Sequence, residues 1–158
     1  FNNKIHHIMA EKKVIKFYRE SDQYGQFSNF FSKPITVDGE EYSTSEHYFQ
    51  AMKYHKNPEY FNKIKKAKTP NECAKLGRSR DHPLRPDWED VKDDIMRVAI
   101  RAKFTQHEDL KKVLLDTEDA ELVESTWRDS YWADGGDGKG KNMLGKLLME
   151  LRRELANE

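Results

Sequence analysis

The chain has 158 residues, and this length predicts a single domain that buries a core without the help of disulfides or metals. Its 28 lysine and arginine residues balance 28 aspartate and glutamate residues, so no overall field draws it to nucleic acid or membrane. Charged residues make up 35% of the sequence and no apolar run could cross a bilayer, so we expect a soluble protein without a membrane partner.

Cysteine and histidine usage predicts a reducing compartment and no bound metal. Cys73 is the only cysteine and no segment resembles a signal peptide, so a cytoplasmic location is expected, with the nucleus as an alternative. We interpret Cys73 as a buried thiol rather than a nucleophile. The six histidines lack the spacing of metal ligands, and no cofactor is indicated. Residues 1–13 are polar and irregular and predict a flexible tail before a domain over residues 14–158.

The first part of the domain predicts a small β-sheet. Residues 14–18 are typical of a short strand, and residues 35–42 predict a hairpin that turns at an Asp-Gly pair. Between them, residues 24–31 form a loop rich in aromatic residues, in which Ser28 and Asn29 are framed by rings. Polar residues enclosed in this way are unusual for a solvated loop.

From residue 43 onward, start signals predict a succession of helices. Three capping boxes each place a serine or threonine three residues before a glutamate. They are Ser43 with Glu46, Thr69 with Glu72, and Thr105 with Glu108. Asn57 and Pro58 predict another helix, which ends near residue 66.

Apolar periodicity completes the prediction of the fold. Residues 91–104 predict a helix whose buried face holds Ile95, Val98, Ala99 and Ala102. Leucine and valine residues at 110–114 mark the next helix, and residues 142–156 predict the last. We therefore predict one α+β domain, dominated by helices around a small sheet.

Five of the eight glycines lie between residues 135 and 145, just before the final predicted helix. Glycine tolerates positive φ and lets backbone N–H groups surround an anion, and a helix N-terminus attracts negative charge. The spacing of Gly135, Gly140 and Lys141 also matches a P-loop, but Asn142 replaces the hydroxyl that would bind magnesium. Without a buried strand before it, we reject that reading. A phosphate site is predicted, with a flexible surface loop as the alternative.

The predicted helix after residue 43 carries a polar stripe. Glu46, Gln50 and Lys53 are spaced at i, i+4 and i+7, which puts an acid, an amide and an amine on one face. In the structural alternative, Glu46 only completes a capping box and Lys53 lies in solvent. The aromatic residues nearby and the phosphate-suited loop favour a pocket instead.

Other candidate residues have two readings each. Arg78 follows a glycine at the end of a predicted helix and is either a surface charge or a clamp for phosphate. Trp88 and Trp132 belong to the core or stack on a flat base. Asp129 and Asp134 flank Trp132, and acids in such positions usually accept turn hydrogen bonds.

Several motifs, in order along the chain, resemble those of the YbiA-like, or NADAR, family. They are Phe27-Ser28-Asn29-Phe30, residues 44–51, Gly77-Arg78, Lys103-Phe104, Trp132-Ala133-Asp134-Gly135-Gly136 and residues 140–145. The resemblance runs from about residue 14 to residue 155 and implies hydrolysis of an N-glycosidic bond between a ribose carbon and a nitrogen. One departure is Ala133, where relatives often have glycine.

The resemblance implies two substrate classes. Family members act on phosphoribosylated pyrimidine intermediates of riboflavin synthesis or on ADP-ribose attached to guanine in nucleic acid. Both contain a phosphorylated ribose with a base as leaving group, so a ribosyl or ADP-ribosyl substrate is the expected partner. The zero net charge favours a small nucleotide and the resemblance favours ADP-ribosylated nucleic acid equally, so the leaving base stays open. The alternative function is a non-catalytic module that binds ADP-ribose or another nucleotide.

The resemblance and the polar stripe together assign residue roles. We expect Glu46 to stabilise positive charge at ribose C1 or to activate water. Lys53 either positions the ribose hydroxyls or, if neutral, attacks C1, and Asp134 is a third catalytic candidate. The predicted substrate-binding residues are Ser28, Asn29, Gln50, Arg78, Trp88, Trp132, Gly135, Gly136, Gly138, Lys139, Gly140, Lys141 and Asn142.

Overall fold

A computed structural model describes residues 12–158, and the tail predicted over residues 1–13 lies almost entirely outside this range. The described part contains six α-helices, a short 3-10 helix over Gly25–Phe27 and four β-strands. In chain order the elements are β1 (Val14–Phe17), β2 (Ile35–Val37), β3 (Glu40–Tyr42), α1 (Ser45–Met52), α2 (Pro58–Lys65), α3 (Pro70–Arg78), α4 (Trp88–Gln106), α5 (Glu108–Asp116), β4 (Glu121–Glu124) and α6 (Met143–Ala156). The predicted α+β class, dominated by helices, is confirmed.

The strands form two separate pairs rather than one sheet. β2 and β3 make the predicted antiparallel hairpin, and its turn residues Asp38 and Gly39 have φ values of 51° and 80°, as a primed turn requires. β1 pairs in parallel with β4, so that Phe17 lies beside Glu124. The sequence did not predict β4, because its partner strand lies a hundred residues away.

Helix starts follow the predicted caps at two places and differ at two others. Asn57 caps α2 by accepting the N–H of Tyr60, and Thr69 caps α3 in the same way. The start at Ser43 is wrong, because Thr44 is the residue that caps α1. Thr105 starts no helix, since α4 continues to Gln106 and the Thr105 hydroxyl donates to the Arg101 carbonyl within it.

The core joins buried side chains of the helices with those of the parallel strand pair. α1 packs against α2, α3 and α4, while α6 packs against α4 and β4. The approach of α6 to β4 is close enough that a Cβ at Gly145 would overlap the Leu122 carbonyl oxygen. The buried face of α4 includes Ile95 and Ala99 as predicted, but Val98 points outward and is 43% exposed. Across residues 12–158, none of the helices has the length and apolar character needed to cross a bilayer.

Candidate active site

The aromatic loop before β2 anchors the start of α1. The Asn29 carbonyl accepts the N–H of Glu46 at 3.2 Å, and the Asn29 side-chain oxygen accepts the Ser45 hydroxyl at 2.8 Å. The Ser28 hydroxyl accepts the N–H of Phe30. The predicted binding residues Ser28 and Asn29 are thus buried beside the site, but these hydrogen bonds give them a supporting role in the fold.

A buried lysine, Lys103, holds the aromatic loop by a hydrogen bond. Lys103 is 1% exposed, and its Nζ donates to the Ser28 carbonyl at 2.7 Å between the rings of Phe31 and Phe104. Burial lowers the pKa of Lys103 to about 7. Lys103 entered the sequence-based prediction only as part of a family motif and was not predicted as a site residue, although a lysine within the apolar pattern of a helix is a signal that could have been read.

The predicted polar stripe is present on α1 and faces inward. Gln50 Nε2 donates to Glu46 Oε1 at 2.8 Å, and both side chains are buried. Gln50 Oε1 is buried and has no hydrogen-bond partner among residues 12–158. The backbone of Gly77 lies directly against that oxygen, so a Cβ at residue 77 would overlap it. The Glu46 carboxylate is therefore oriented by an amide that α3 confines.

Lys53, at the C-terminal cap of α1, is 9% exposed. Its Nζ lies 5.7 Å from the ring centroids of both Phe49 and Trp88. Burial lowers the pKa of Lys53; the Glu46 charge opposes this lowering, the guanidinium groups of Arg80 and Arg78 add to it, and the resulting pKa is about 8.

Burial acts on Glu46 in the opposite direction and raises its pKa. The hydrogen bond from Gln50 and the charges of Lys53 and Arg78 offset part of this rise. Burial thus pushes both members of the acid and amine pair toward their neutral forms, as is common for groups that transfer protons or attack an electrophile. Arg78 itself is exposed at the end of α3, where its charge reaches both groups.

Aromatic packing brings the glycine-rich segment to α1. The Phe49 ring lies 5.0 Å from the Trp88 ring and 5.3 Å from the Trp132 ring. Trp88 is buried in the core, whereas Trp132 is partly exposed. The segment before α6 and the polar stripe therefore meet, as the sequence-based pocket requires.

A cluster of carboxyl groups lies across from α1. Burial, together with the charges of Asp129, Glu46 and Asp134, raises the pKa of Glu124, at the end of β4, to about 8. The charge of Asp129 also acts on Glu46. Sequence reasoning missed Glu124, because it missed β4, whose strand structure depends on pairing with the distant β1. In the described part of the chain, no three histidine, cysteine, aspartate or glutamate side chains are arranged to bind a metal ion.

Asp134, predicted as catalytic, organises the loop instead. Its carboxylate accepts the Ser125 hydroxyl at 3.1 Å and the N–H groups of Thr126 and Gly136 at 3.1 and 2.8 Å. Burial acts to raise the pKa of Asp134, but these hydrogen bonds outweigh it and lower the pKa. A carboxylate that is ionised and bound to three donors is suited to fixing a turn.

The backbone of the glycine-rich segment is also bonded internally. Gly135 and Gly136 have φ values of 74° and 82°, and Gly138 has 81°, so the predicted need for positive φ is confirmed. The predicted cradle of free N–H donors is wrong for most of the segment, because its amides donate within the chain. Those of Gly135, Gly136, Lys139, Gly140, Lys141, Asn142, Met143 and Leu144 all do so. The side chains of Lys139 and Lys141 remain exposed.

Asn142, predicted to bind substrate, joins the segment to β4. It adopts φ 52°, its Nδ2 donates to the Leu122 carbonyl at 2.9 Å, and its Oδ1 accepts the N–H of Glu124 at 3.0 Å. The Asp134 N–H donates to the carbonyl of Glu124 at 2.9 Å. The segment therefore fixes the main chain on both sides of the Glu124 side chain.

The comparisons with known proteins identify the family of the chain. The NADAR domain family matches residues 16–156. The chain is 53% identical over 155 residues to an N-glycosidase YbiA of Shigella flexneri, covering 98% of this chain and 96% of that one. It is 43% identical over 146 residues to an N-glycosidase of Nostoc punctiforme, covering 91% and 94%. A riboflavin biosynthesis protein of Vibrio vulnificus is 39% identical over 144 residues, which is 91% of this chain and 39% of that protein.

A solved structure has the same fold. The NMR structure of the Escherichia coli protein YbiA superposes with a TM-score of 0.85 at 53% identity, covering 94% of this chain and 88% of that one. The chain belongs to the NADAR family. It is an enzyme of the N-glycosidase class, which hydrolyses N-glycosyl bonds, so the alternative of a non-catalytic module is set aside.

Proposed function

We propose that the enzyme hydrolyses the bond between C1 of a phosphorylated ribose and the nitrogen of a base. The observation that carries this proposal is the buried pair of Glu46 and Lys53 on one face of α1, opposite the acid Glu124. Cleavage at C1 develops positive charge on the ribose and negative charge on the leaving nitrogen. Glu124 is an acid that can protonate the leaving nitrogen, and Glu46 is a carboxylate that can stabilise the positive ribose. Lys53 adds an amine beside them.

Glu46 acts at the sugar. Gln50 holds one of its oxygens at 2.8 Å, which leaves the other free to face ribose C1 or a water molecule. A carboxylate in this position stabilises the oxocarbenium-like transition state or removes a proton from attacking water.

Glu124 supplies the proton to the leaving base. Its raised pKa of about 8 keeps the carboxyl protonated at neutral pH. A departing base nitrogen is a poor leaving group until it is protonated, and a half-buried neutral carboxylic acid is suited to this donation. Two carboxyl groups with different protonation states would then divide the work, as in glycoside hydrolases.

Lys53 has two possible roles. In the first, its ammonium group positions the ribose hydroxyls. In the second, its neutral amine attacks C1 as the base leaves, the ring oxygen then leaves C1 to give an imine, and water hydrolyses that imine. The lowered pKa of about 8 supports the second role, because a useful fraction of the amine is neutral near pH 7. Borohydride added during turnover, followed by mass mapping, tests it: an adduct on Lys53 supports attack, and its absence supports positioning.

The substrate phosphate lies toward the exposed cations at the rim. Arg78 and Arg80 approach Lys53 from α3 and the segment after it, and Lys139 and Lys141 project from the glycine-rich segment. With most amides of that segment bonded internally, phosphate recognition would rest on these side chains. Trp132 encloses the ribose or the base from the same side.

Incubation with two substrates tests the proposed bond and identifies the substrate class. The enzyme is incubated with a guanine-ADP-ribosylated oligonucleotide and, separately, with a phosphoribosylaminopyrimidine, and the released sugar and base are identified by mass. We expect release of free base from at least one of them, and loss of that release in Glu46→Gln. A wild-type enzyme that cleaves neither substrate refutes the proposed bond.

A further inference from the structure

Trp127 is the most exposed large apolar side chain in the part of the chain that the structure describes. Its exposed fraction is 78%, against 47% for Val14 and 43% for Val98. Tryptophan has the largest apolar surface of any side chain and is usually well buried, so this exposure calls for an explanation.

A floppy loop does not account for the exposure, because the backbone around Trp127 is fixed. The N–H of Thr126 donates to Asp134, and the N–H of Arg128 donates to the Thr126 hydroxyl. Gly136 packs against the Trp127 main chain so closely that a Cβ on it would lie 3.0 Å from Trp127 Cα and Cβ. The indole is therefore presented to solvent by a rigid turn.

The turn lies at the edge of the candidate site. Trp127 is three residues after Glu124 and two before Asp129, and both of these acids act electrostatically on the site around Glu46. Asp134, which fixes the turn, belongs to the same segment as Trp132, whose ring contacts α1. A substrate extending beyond the reacting ribose on this side would meet the indole.

The chemistry of the exposed pair fits a nucleotide. The Arg128 guanidinium lies 5.3 Å from the centroid of the Trp127 ring. An exposed indole stacks on bases of any sequence, and a neighbouring guanidinium binds phosphate and adds a cation–π contribution. The indole and the guanidinium thus place a stacking surface and a cation side by side at the surface.

We propose that Trp127 and Arg128 form a subsite for a second nucleobase of the substrate, next to the ribose that reacts at Glu46. This proposal rests on the proposed function. The second base has two sources, the adenine of an ADP-ribosyl group or the base that flanks a modified guanine in an oligonucleotide. Either source favours an extended nucleotide over a phosphoribosylaminopyrimidine, which has no second base.

The first test measures binding by calorimetry with ADP-ribose and ribose 5-phosphate as probes. If adenine occupies the subsite, Trp127→Ala is expected to weaken ADP-ribose binding by about tenfold, since stacking on one base contributes on that order. Ribose 5-phosphate binding should stay within about twofold, and Trp127→Phe should retain most ADP-ribose affinity. Val98→Ala, which removes another exposed apolar side chain outside the site, is the control and should change nothing.

The second test separates the two sources of the base. KM is measured for ADP-ribosylated guanosine and for an oligonucleotide with one ADP-ribosylated guanine. An increase in Trp127→Ala with both substrates assigns the subsite to adenine, and an increase only with the oligonucleotide assigns it to the flanking base. If wild-type enzyme cleaves its substrate and Trp127→Ala matches it in both tests, the subsite is refuted while the proposed function stands. If wild-type enzyme cleaves neither of these two substrates but cleaves a phosphoribosylaminopyrimidine, the subsite is refuted while the proposed function stands, and cleavage of none of the three refutes both.

Discussion

The polar face of α1 and the glycine-rich segment before α6 meet at the same site, but they differ in whether their polar groups have hydrogen-bond partners. On α1, Gln50 keeps a buried oxygen without a partner in the described chain, and burial pushes Glu46 and Lys53 toward neutral forms. In the glycine-rich segment, nearly every backbone amide already donates within the chain. The glycine-rich segment, which is conspicuous in the sequence, is thus the region whose backbone hydrogen bonds are satisfied.

The difference follows from what each region has to do. An unpaired polar group costs about 1–3 kcal/mol when buried, so such burial persists mainly where reacting groups need it. Glycines that adopt positive φ solve a geometric problem, which is to turn the chain sharply while it holds Glu124 and Trp132 in place. A glycine cluster therefore reports backbone shape, and the chemistry lies with the side chains that it positions.

The largest expected effect comes from Glu46→Gln. The substitution keeps the shape of the side chain but removes the charge and the base, so we expect kcat to fall by about 100-fold or more. ADP-ribose affinity, measured by calorimetry, should stay within a few-fold. Glu41→Gln, an exposed acid on β3, is the matched control. Turnover equal to that of the wild type in Glu46→Gln would remove α1 from the chemistry.

Two glycine substitutions compare the regions directly. Gly77→Ala places a Cβ against Gln50 Oε1, which displaces the amide that orients Glu46, and we expect kcat to fall by about tenfold. Gly138→Ala meets open space, with strain at φ 81° of about 1 kcal/mol. It should lower the free energy of unfolding in urea without a comparable loss of kcat. A larger loss of kcat in Gly138→Ala than in Gly77→Ala would reverse the comparison.

The pH dependence tests whether Glu124 belongs with the reacting groups. If its protonated form donates to the leaving base, kcat should fall above about pH 8, by roughly tenfold per pH unit. Glu124→Gln should lower kcat and remove this alkaline limb. A wild-type profile that stays flat up to pH 10 would contradict the assignment.

Glu124→Gln is also expected to change how the stability of the protein depends on pH. The pKa of Glu124 is raised from 4.5 to about 8, so between these values the folded protein binds a proton that the unfolded chain lacks. The stabilising contribution is complete below pH 4.5 and is lost as the pH rises through 8. Glu124→Gln carries no such loss, and urea unfolding at pH 6 and pH 9 should show a smaller decline in the variant than in wild type.

The smallest effect is expected at the exposed lysines of the glycine-rich segment. Replacing Lys139 and Lys141 by alanine should raise KM about fivefold with kcat unchanged, because exposed charges contribute at most about 1 kcal/mol. The KM increase should shrink at high salt. The double substitution of Lys111 and Lys112 on α5 is the control. An unchanged KM would show that the segment acts only as a scaffold.

Local signals were readable from the sequence, and non-local ones were not. The hairpin turn and the caps of α2 and α3 depend on residues within four positions of each other, and each was predicted. β4 was missed, and Glu124 with it, because its strand character comes from pairing with β1 across the domain. The capping-box pattern at Thr105 failed because α4 continues through it. The stripe on α1 was visible by its spacing, but only the structure shows that Gln50 is confined by α3.

Because Asn142 holds β4, the site cannot be fully assembled until residue 142 has been translated. The residue joins α6 to β4 through both ends of its amide, and β4 in turn requires β1. A ribosome makes β1, β4 and Asp134 first, and the N–H of Glu124 lacks its partner until residue 142 has emerged. A nascent chain that stops before that point would carry every acid of the site and still lack its arrangement.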